Sequence, residues 1–411
     1  MLLTLDDTDG PQGGCTTYAA ACIADRLGPD ALDGRPRLVR LDPDNPWKTR
    51  GNAAVAIPLS RDLHPETVLE TAAAVVDDHA RIAEGKGAGL AVLSEPPAPA
   101  WYERGVRERV GLDEARSALA DVPTWTAGTG RGLVGCLCAA AWRPGPSATY
   151  TRIAYRHPKA RGTPRAINAR HARELDTHHE AVFDAYDARE DHALVAPRTP
   201  GPLLLGLRAS EPDDLADRAA RLAEEPIEQA YTFVTNQASD DHLAAASLQP
   251  LVAADEPQRL EGGHVRLATR TPREAERTVL AFEPTGDLRT GLRAVEPGDR
   301  LLALGSLKDA GRQVNLEKLF HVPAEGTQAP ACPGCGGHMR SIGHEAGYRC
   351  PRCGTRQPGE TSKRPPRWHE ADPSARRHLA RPLALGLAPR LQAAERACLA
   401  ADRPRPRATS G

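Results

Sequence analysis

Three carboxylates, Asp6, Asp7 and Asp9, stand within four positions near the start of the chain, in the stretch LDDTDGPQGGCTT. A short apolar run, LLTL, leads into them, so they sit at the end of a first strand. That much negative charge at one strand end calls for a positive partner. Mg²⁺ fits, because it takes one or two carboxylates and fills its other positions with water and phosphate oxygens. Gly13 and Gly14 come next, where backbone amides can approach a phosphate. Thr16 then begins a helical stretch whose positive end favours an anion. Each feature has an ordinary explanation when taken alone: DDTDG as an acidic turn, Thr16 or Thr17 as a helix cap. Together they favour a metal–phosphate site, with Asp6 and Asp7 on the ion.

Cationic complements follow in NPWKTRGNAA, where Lys48 and Arg50 could neutralise phosphate charge and Asn52 could donate hydrogen bonds. Two further glycine-rich loops, GKGAG and AGTGRGLVG, precede apolar runs, and each is weak evidence by itself. The arginine-rich YRHPKARGTPRAIN reads equally as a phosphate contact or a surface loop.

A second chemistry is written in CPGCG and CPRCG, which place Cys332, Cys335, Cys350 and Cys353 as two thiolate pairs. Four thiolates at this spacing suit tetrahedral Zn²⁺ with no open position, so the site is structural. His338 and His344 lie between the pairs, but four sulfurs already complete the shell. The remaining five cysteines follow no disulfide-like pattern, which together with the metal knuckles points to a reducing, cytoplasmic setting.

The bulk composition decides little. With 53 basic and 54 acidic residues the 411-residue chain carries no global nucleic-acid signal. Its end differs: from Thr355 onward, eleven arginines and one lysine face five acids, so a basic tail over 359–411 could sit on a polyanion or stay solvated. No run approaches the roughly 18–20 apolar residues of a membrane span. The opening MLLTLDDTDG lacks the basic region of a signal peptide.

The elements that must position these residues fall into blocks. Over 1–125, LLTL, PRLVRL, NAAVAIPL and GAGLAVLSE read as strands, and TTYAAACIADRL, HPETVLETAAAVVDDHARIAEG and DEARSALADV as helices, an α/β or α+β layer. From 126 to about 250 the order TWTAG, GRGLVGCLCAAAW, TYTRIAYR, PLLLGLR, DDLADRAARLAEE, AYTFVTNQ spells βαββαβ around a polar insertion at 157–195. This is the split-βαβ signature of a ferredoxin-like domain. Short alternating strands over 258–325 suggest an OB-fold barrel. The zinc ribbon occupies 328–358, and ARRHLARPLALGLAPRLQAAERACLAA reads as one apolar helical stretch. A small barrel followed by a ribbon is a common grip for single-stranded nucleic acid.

LDDTDGPQGGCTT, NPWKTRGNAA, GTGRGLVG, IAYR with RGTPR, TNQASDDHL, NLEKL, the paired CPxCG turns and PSARRHLARPL together resemble the archaeal isoleucine-tRNA 2-agmatinylcytidine synthetase family, from Leu3 to about Leu383. Gly10 and Thr4 depart from the family pattern beside the acids. The resemblance implies an α+β multidomain chain: a kinase-like domain, a ferredoxin-like domain, an OB-fold and a zinc ribbon. It implies ATP-dependent joining of agmatine to C2 of the wobble cytidine in the CAU-anticodon isoleucine tRNA, so that AUA is read. Phosphorylation of the C2 oxygen would activate that position, with AMP and phosphate released. On that basis Asp6, Asp7 and Asp9 would handle Mg²⁺–ATP, Thr16 would be autophosphorylated, and the ribbon would grip tRNA, with no membrane and no protein partner implied. From the residues alone, two alternatives stay open: a non-catalytic nucleic-acid-binding adaptor, and a tRNA modifier using another amine such as lysine.

Overall fold

The computed structural model describes residues 1–10, 13–48, 51–82, 86–198, 200–324, 331–337, 339–342, 347–358 and 365–400. The chain forms two compact units. The first is Met1–Ala244 with Asp372–Ala388; the second is Ala245–Ala371 with the chain from Pro389 on.

The first unit is built on one eight-stranded sheet. Its strands are β1 (Leu2–Asp6), β2 (Arg37–Arg40), β3 (Ala53–Pro58), β4 (Gly89–Leu93), β5 (Thr124–Thr126), β6 (Thr149–Arg156), β9 (Leu203–Ala209) and β10 (Ile227–Thr235), in the order β5-β4-β1-β3-β2-β10-β6-β9. A two-stranded hairpin, β7 (Tyr186–Asp187) and β8 (His192–Ala193), stands apart from it. Side chains alternate across the pleat. Leu3, Leu5, Val55, Ile57, Leu90 and Val92 face helices α1 (Thr16–Leu27) and α2 (Pro65–His79). Ala54, Ala56 and Ala91 face α3 (Ala100–Arg107), α4 (Leu112–Ala118) and α5 (Gly132–Ala141). The small side chains on that second face let α5 come close. A Cβ on Gly132 would stand 2.4 Å from the Gly89 amide nitrogen, and one on Gly135 would stand 1.9 Å from Asp6 Oδ2. The helix therefore rests directly on the strand that carries the acids. Helix α7 (Leu215–Leu222) covers β6 and β9 through Leu205, Leu207, Leu215 and Leu222, and α6 (Ala169–His178) packs on α7 and the β7–β8 hairpin, adding Ala172 and Leu175 to the same core.

One expectation changes here. TWTAG does not join β6, β9 and β10 in a separate four-stranded sheet; it pairs with β4, with Gly89 opposite Thr126, at the far edge of the shared sheet. The polar stretch 157–195 is also more than an insertion, because it contributes α6 and the β7–β8 hairpin.

In the second unit, β11 (Leu251–Ala253), β13 (Val265–Arg270), β14 (Glu276–Ala281), β15 (Arg300–Lys308) and β16 (Gln313–Val322) close into a five-stranded barrel. The strands β14 and β16 run parallel and the other pairings are antiparallel. The barrel starts at Leu251, earlier than the expected 258. The short β12 (Gln258–Arg259) flanks β13, and α8 (Asp287–Arg293) joins β14 to β15. The ribbon holds β17 (Arg340–Ser341), β18 (Tyr348–Arg349) and β19 (Arg356–Gln357) in a sheet of their own.

The stretch expected as a basic tail is built into the fold. Arg367–Glu370 forms β20, paired with β16, and Pro389–Ala400 forms α9, which buries Leu391, Ala394 and Cys398. Between them the chain is not one continuous helix, because Pro382 and Gly386 (φ 73°) interrupt it. Three of its arginines are committed: Arg376 pairs with Asp184, Arg377 with Asp44 at 2.9 Å, and Arg381 Nε donates to the Gly386 carbonyl at 2.9 Å. Residues 401–411 lie outside the described residues. Among those described, no helix is long and apolar enough to cross a membrane.

Candidate functional site

The acids end β1 as expected. Asp7 takes a left-handed backbone (φ 57°), and its carboxylate accepts the Gly87 amide at 3.0 Å. Burial, and then the neighbouring charges of Asp7 and Asp9, push the Asp6 carboxyl well above the usual carboxylate range. Burial also raises Asp7, against the Gly87 bond and the charges of Lys86 and Arg131. Like charges held together in this way, on hard oxygen donors, suit a divalent cation such as Mg²⁺.

Those acids line a cavity of about 480 Å³ together with Cys15, Thr16, Thr17, Lys48 and Asn52. That volume suits a ligand the size of a nucleotide. Helix α1 opens onto it with no acidic residue in its first turn, so its amide dipoles are not neutralised by side chains. Thr16 is the first helical residue, after Cys15 at the cap, and its hydroxyl accepts a bond from Thr8 Oγ1 at 3.2 Å. Lys48 Nζ donates to the Pro43 carbonyl, and Asn52 Nδ2 donates to the Asp42 carbonyl at 2.8 Å.

Other expected residues fall elsewhere. Gly13 and Gly14 are absent from the lining, and the Gly13 amide donates to the Gly10 carbonyl at 3.1 Å. The left-handed Gly14 (φ 76°) is packed against the Thr8 carbonyl instead. Arg50 lies outside the described residues.

The two glycine-rich loops, weak signals singly, lock together beside Asp7. Thr129 donates to the Lys86 carbonyl at 3.1 Å, and Gly132 donates to the Gly87 carbonyl at 2.8 Å. A Cβ on Gly87 would stand 2.3 Å from the Thr129 nitrogen, which is why glycine is required there. Arg131 then lies over the exposed Trp47 ring, 3.7 Å from its centroid, and both line the cavity. Trp47, Arg131, Arg40, Arg208, Gln237 and His378 are lining residues that sequence reasoning missed. Trp47, Arg131, Gln237 and His378 lie inside stretches already quoted without being singled out there, whereas Arg40 lies in an expected strand. Of the arginines in YRHPKARGTPR, Arg165 lines the cavity. Arg156 is structural, buried on Glu225 through two bonds of 2.7 Å.

The ribbon is as its spacing foretold. All four sulfurs lie within 4.8 Å of one another, with Cys332–Cys353 at 3.3 Å and Cys335–Cys350 at 3.5 Å. Sulfurs bound at about 2.3 Å to one tetrahedral ion would stand roughly 3.8 Å apart, so the donor set fits Zn²⁺. The two turns are copies. Gly336 donates to the Cys332 carbonyl at 2.8 Å and Gly354 to the Cys350 carbonyl at 3.0 Å, each glycine left-handed (φ 67° and 77°). His338 and His344 lie outside the described residues.

Comparison with known proteins covers almost the whole chain. Residues 2–129 match the model described as the TiaS TCKD domain, 130–242 the TiaS FLD domain, and 329–368 the TiaS C-terminal zinc ribbon domain. The isoleucine-tRNA 2-agmatinylcytidine synthetase TiaS of Methanosarcina mazei is 33% identical over 93% of this chain and 97% of its own. That of Methanopyrus kandleri is 34% identical over 92% and 96%. A solved complex of TiaS with its isoleucine tRNA and ATP superposes with a TM-score of 0.79 at 31% identity, over 93% of this chain and 96% of that one. A complex of TiaS with the same tRNA, AMPCPP and agmatine gives 0.78 at 29% over the same shares. With three domain models in order and full-length relatives above 30% identity, the chain belongs to the isoleucine-tRNA 2-agmatinylcytidine synthetase (TiaS) family.

Proposed function

We infer that this chain is an ATP-dependent ligase that joins agmatine to C2 of the wobble cytidine of the CAU-anticodon isoleucine tRNA. The match to TiaS relatives over 93% of the chain carries this reading. The cavity that gathers Asp6, Asp7, Asp9, Thr16 and Lys48 supplies its chemistry. Residues 2–129 serve as the kinase-like part and 130–242 as the ferredoxin-like part, even though one sheet runs through both. The five-stranded barrel is the OB-fold, and the protein works in the cytoplasm.

A cytidine C2 oxygen is a poor leaving group. Once it carries a phosphoryl group from ATP, the primary amine of agmatine attacks C2 and the oxygen departs as phosphate. Asp6 and Asp7 would hold Mg²⁺, which would neutralise phosphate charge; their raised carboxyls at one strand end support that role. Thr16 would receive a phosphoryl group, a role supported by its position at the positive end of α1 on the cavity lining. Lys48 and Arg131 supply positive charge on the lining. Zn²⁺ on the four cysteines would fix the fold of the ribbon.

The test is incubation with Mg²⁺–ATP, radiolabelled agmatine and a CAU-anticodon isoleucine tRNA transcript. Label should enter the tRNA and disappear when the wobble cytidine is replaced. ATP turnover without label would point to another donor, and neither would leave a binding adaptor.

A further inference from the structure

The segment Asp372–Ala388 lies outside the three matched domain models, yet it is stitched into the first unit along its length. Ser374 donates its amide to Asp187 at 3.0 Å, Arg377 pairs with Asp44 at 2.9 Å, and Ala238 and Asp240 donate to the carbonyls of His378 and Leu379 at 2.9 and 2.8 Å. These tethers set one side chain, His378, into the wall of the cavity.

There it meets Arg40. A Cβ on Gly51 would stand 2.5 Å from Arg40 Nη1 and 3.0 Å from the His378 ring, so the two side chains crowd onto the one backbone position that leaves them room. Arg40 Nη1 donates to the Gly51 carbonyl at 3.3 Å. Arg40 Nε and His378 Nδ1 are buried with no hydrogen-bond partner among the described groups, as is Gln237 Oε1 on the same cavity. A buried polar atom left in this way is destabilising unless a ligand meets it. Arg40, burial, Arg208 and Lys48, in that order, hold the imidazole well below its usual range, so it stands neutral among cations.

We propose that His378 and Arg40 form a phosphate subsite of the cavity and that the returning segment exists to place His378 there. This rests on the ATP-dependent reading above. Beside His378 the charge selects the occupant: Arg40 and Lys48 attract phosphate and repel the doubly cationic agmatine, whereas Arg208 is held on Asp184 at 3.0 Å. Arg40 Nε–H is one unpartnered donor for a phosphate oxygen; His378 is the second in the tautomer with its proton on Nδ1, and a neutral imidazole donates without adding a further buried charge. His378 is a positioning residue for the phosphates and takes no proton in the reaction.

The test measures Mg²⁺–ATP binding to the full-length protein by calorimetry, without tRNA or agmatine. His378→Ala should weaken it about tenfold, the size of one lost charge-assisted hydrogen bond. His378→Asn, whose amide nitrogen can stand where Nδ1 was, should recover part of that loss. The KM for agmatine should stay within about twofold of wild type, and the melting temperature and zinc content should not change. The His378 ring protons, followed by NMR, should titrate at higher pH when pyrophosphate is added. Unchanged ATP affinity in His378→Ala, or a raised agmatine KM with ATP affinity intact, overturns the proposal. Wild-type protein that binds ATP through His378 but fails to modify tRNA would overturn the functional reading and leave this subsite standing.

Discussion

The zinc ribbon and the acid-lined cavity are both chemical sites, yet they are assembled in contrasting ways. The ribbon draws its donors from one short stretch, Cys332 to Cys353, through two copies of the same glycine-closed turn. The cavity draws its lining from Asp6 to His378, across the first sheet, two glycine-rich loops and a returning segment. A locally encoded site depends on spacing and little else. A dispersed site depends on every contact that brings distant residues together, so it should break at positions far from any reacting atom.

The largest effect expected from that contrast is Asp7→Asn. It removes a charge and keeps the shape, so agmatine incorporation should fall by at least about 10³-fold, while zinc content and tRNA affinity hold. Turnover near wild type would remove Asp7 from the metal role. Next is Gly135→Ala, one helix away: the new methyl overlaps Asp6 Oδ2. We expect roughly 10–100-fold lower kcat/KM, by displacement of the acid rather than loss of it. A loss no larger than that of a surface alanine control would mean that α5 shifts freely.

Cys350→Ser, or chelation of zinc, probes the local site. It should raise the tRNA Kd and leave the ATP Kd unchanged; a parallel fall in both affinities would reveal a general folding defect and erase the contrast.

Smallest for catalysis is Glu225→Gln, which leaves the buried Arg156 without its anion. Side-chain exposures of 2% and 10% put this pair in the interior. Losing the partner should cost about 3–5 kcal/mol of stability, read by denaturant unfolding, with little change in KM. The Arg156 guanidinium holds the Glu225 carboxyl below its usual value. Its stabilisation is therefore complete above the unfolded-state value of about 4.3 and fades as pH falls through the lower folded one. The wild type should show that acid-side loss and Glu225→Gln should not.

Legibility follows the same divide. CPGCG and CPRCG disclosed their chemistry through local turn geometry, and the β1–α1 junction disclosed its acids and Thr16 because strand, loop and helix are contiguous. TWTAG was legible as a strand but not as the neighbour of β4, since pairing is a long-range choice that a three-residue segment does not encode. Arg40 and His378 were hidden for a related reason. One looked like the polar edge of a strand and the other like part of a helix, and only the tertiary fold sets both side chains against Gly51. The pairing of Gly13 with Gly10 was likewise invisible in the sequence, because a glycine pair does not say which carbonyl its amides meet.

The return of Asp372–Ala388 to the first unit sets an order on biosynthesis. The ribosome makes Asp6 long before His378, with the barrel and ribbon, Ala245–Ala371, translated in between. A nascent or prematurely terminated chain thus carries the acids without His378, and the cavity gains that part of its wall only after barrel and ribbon have been made.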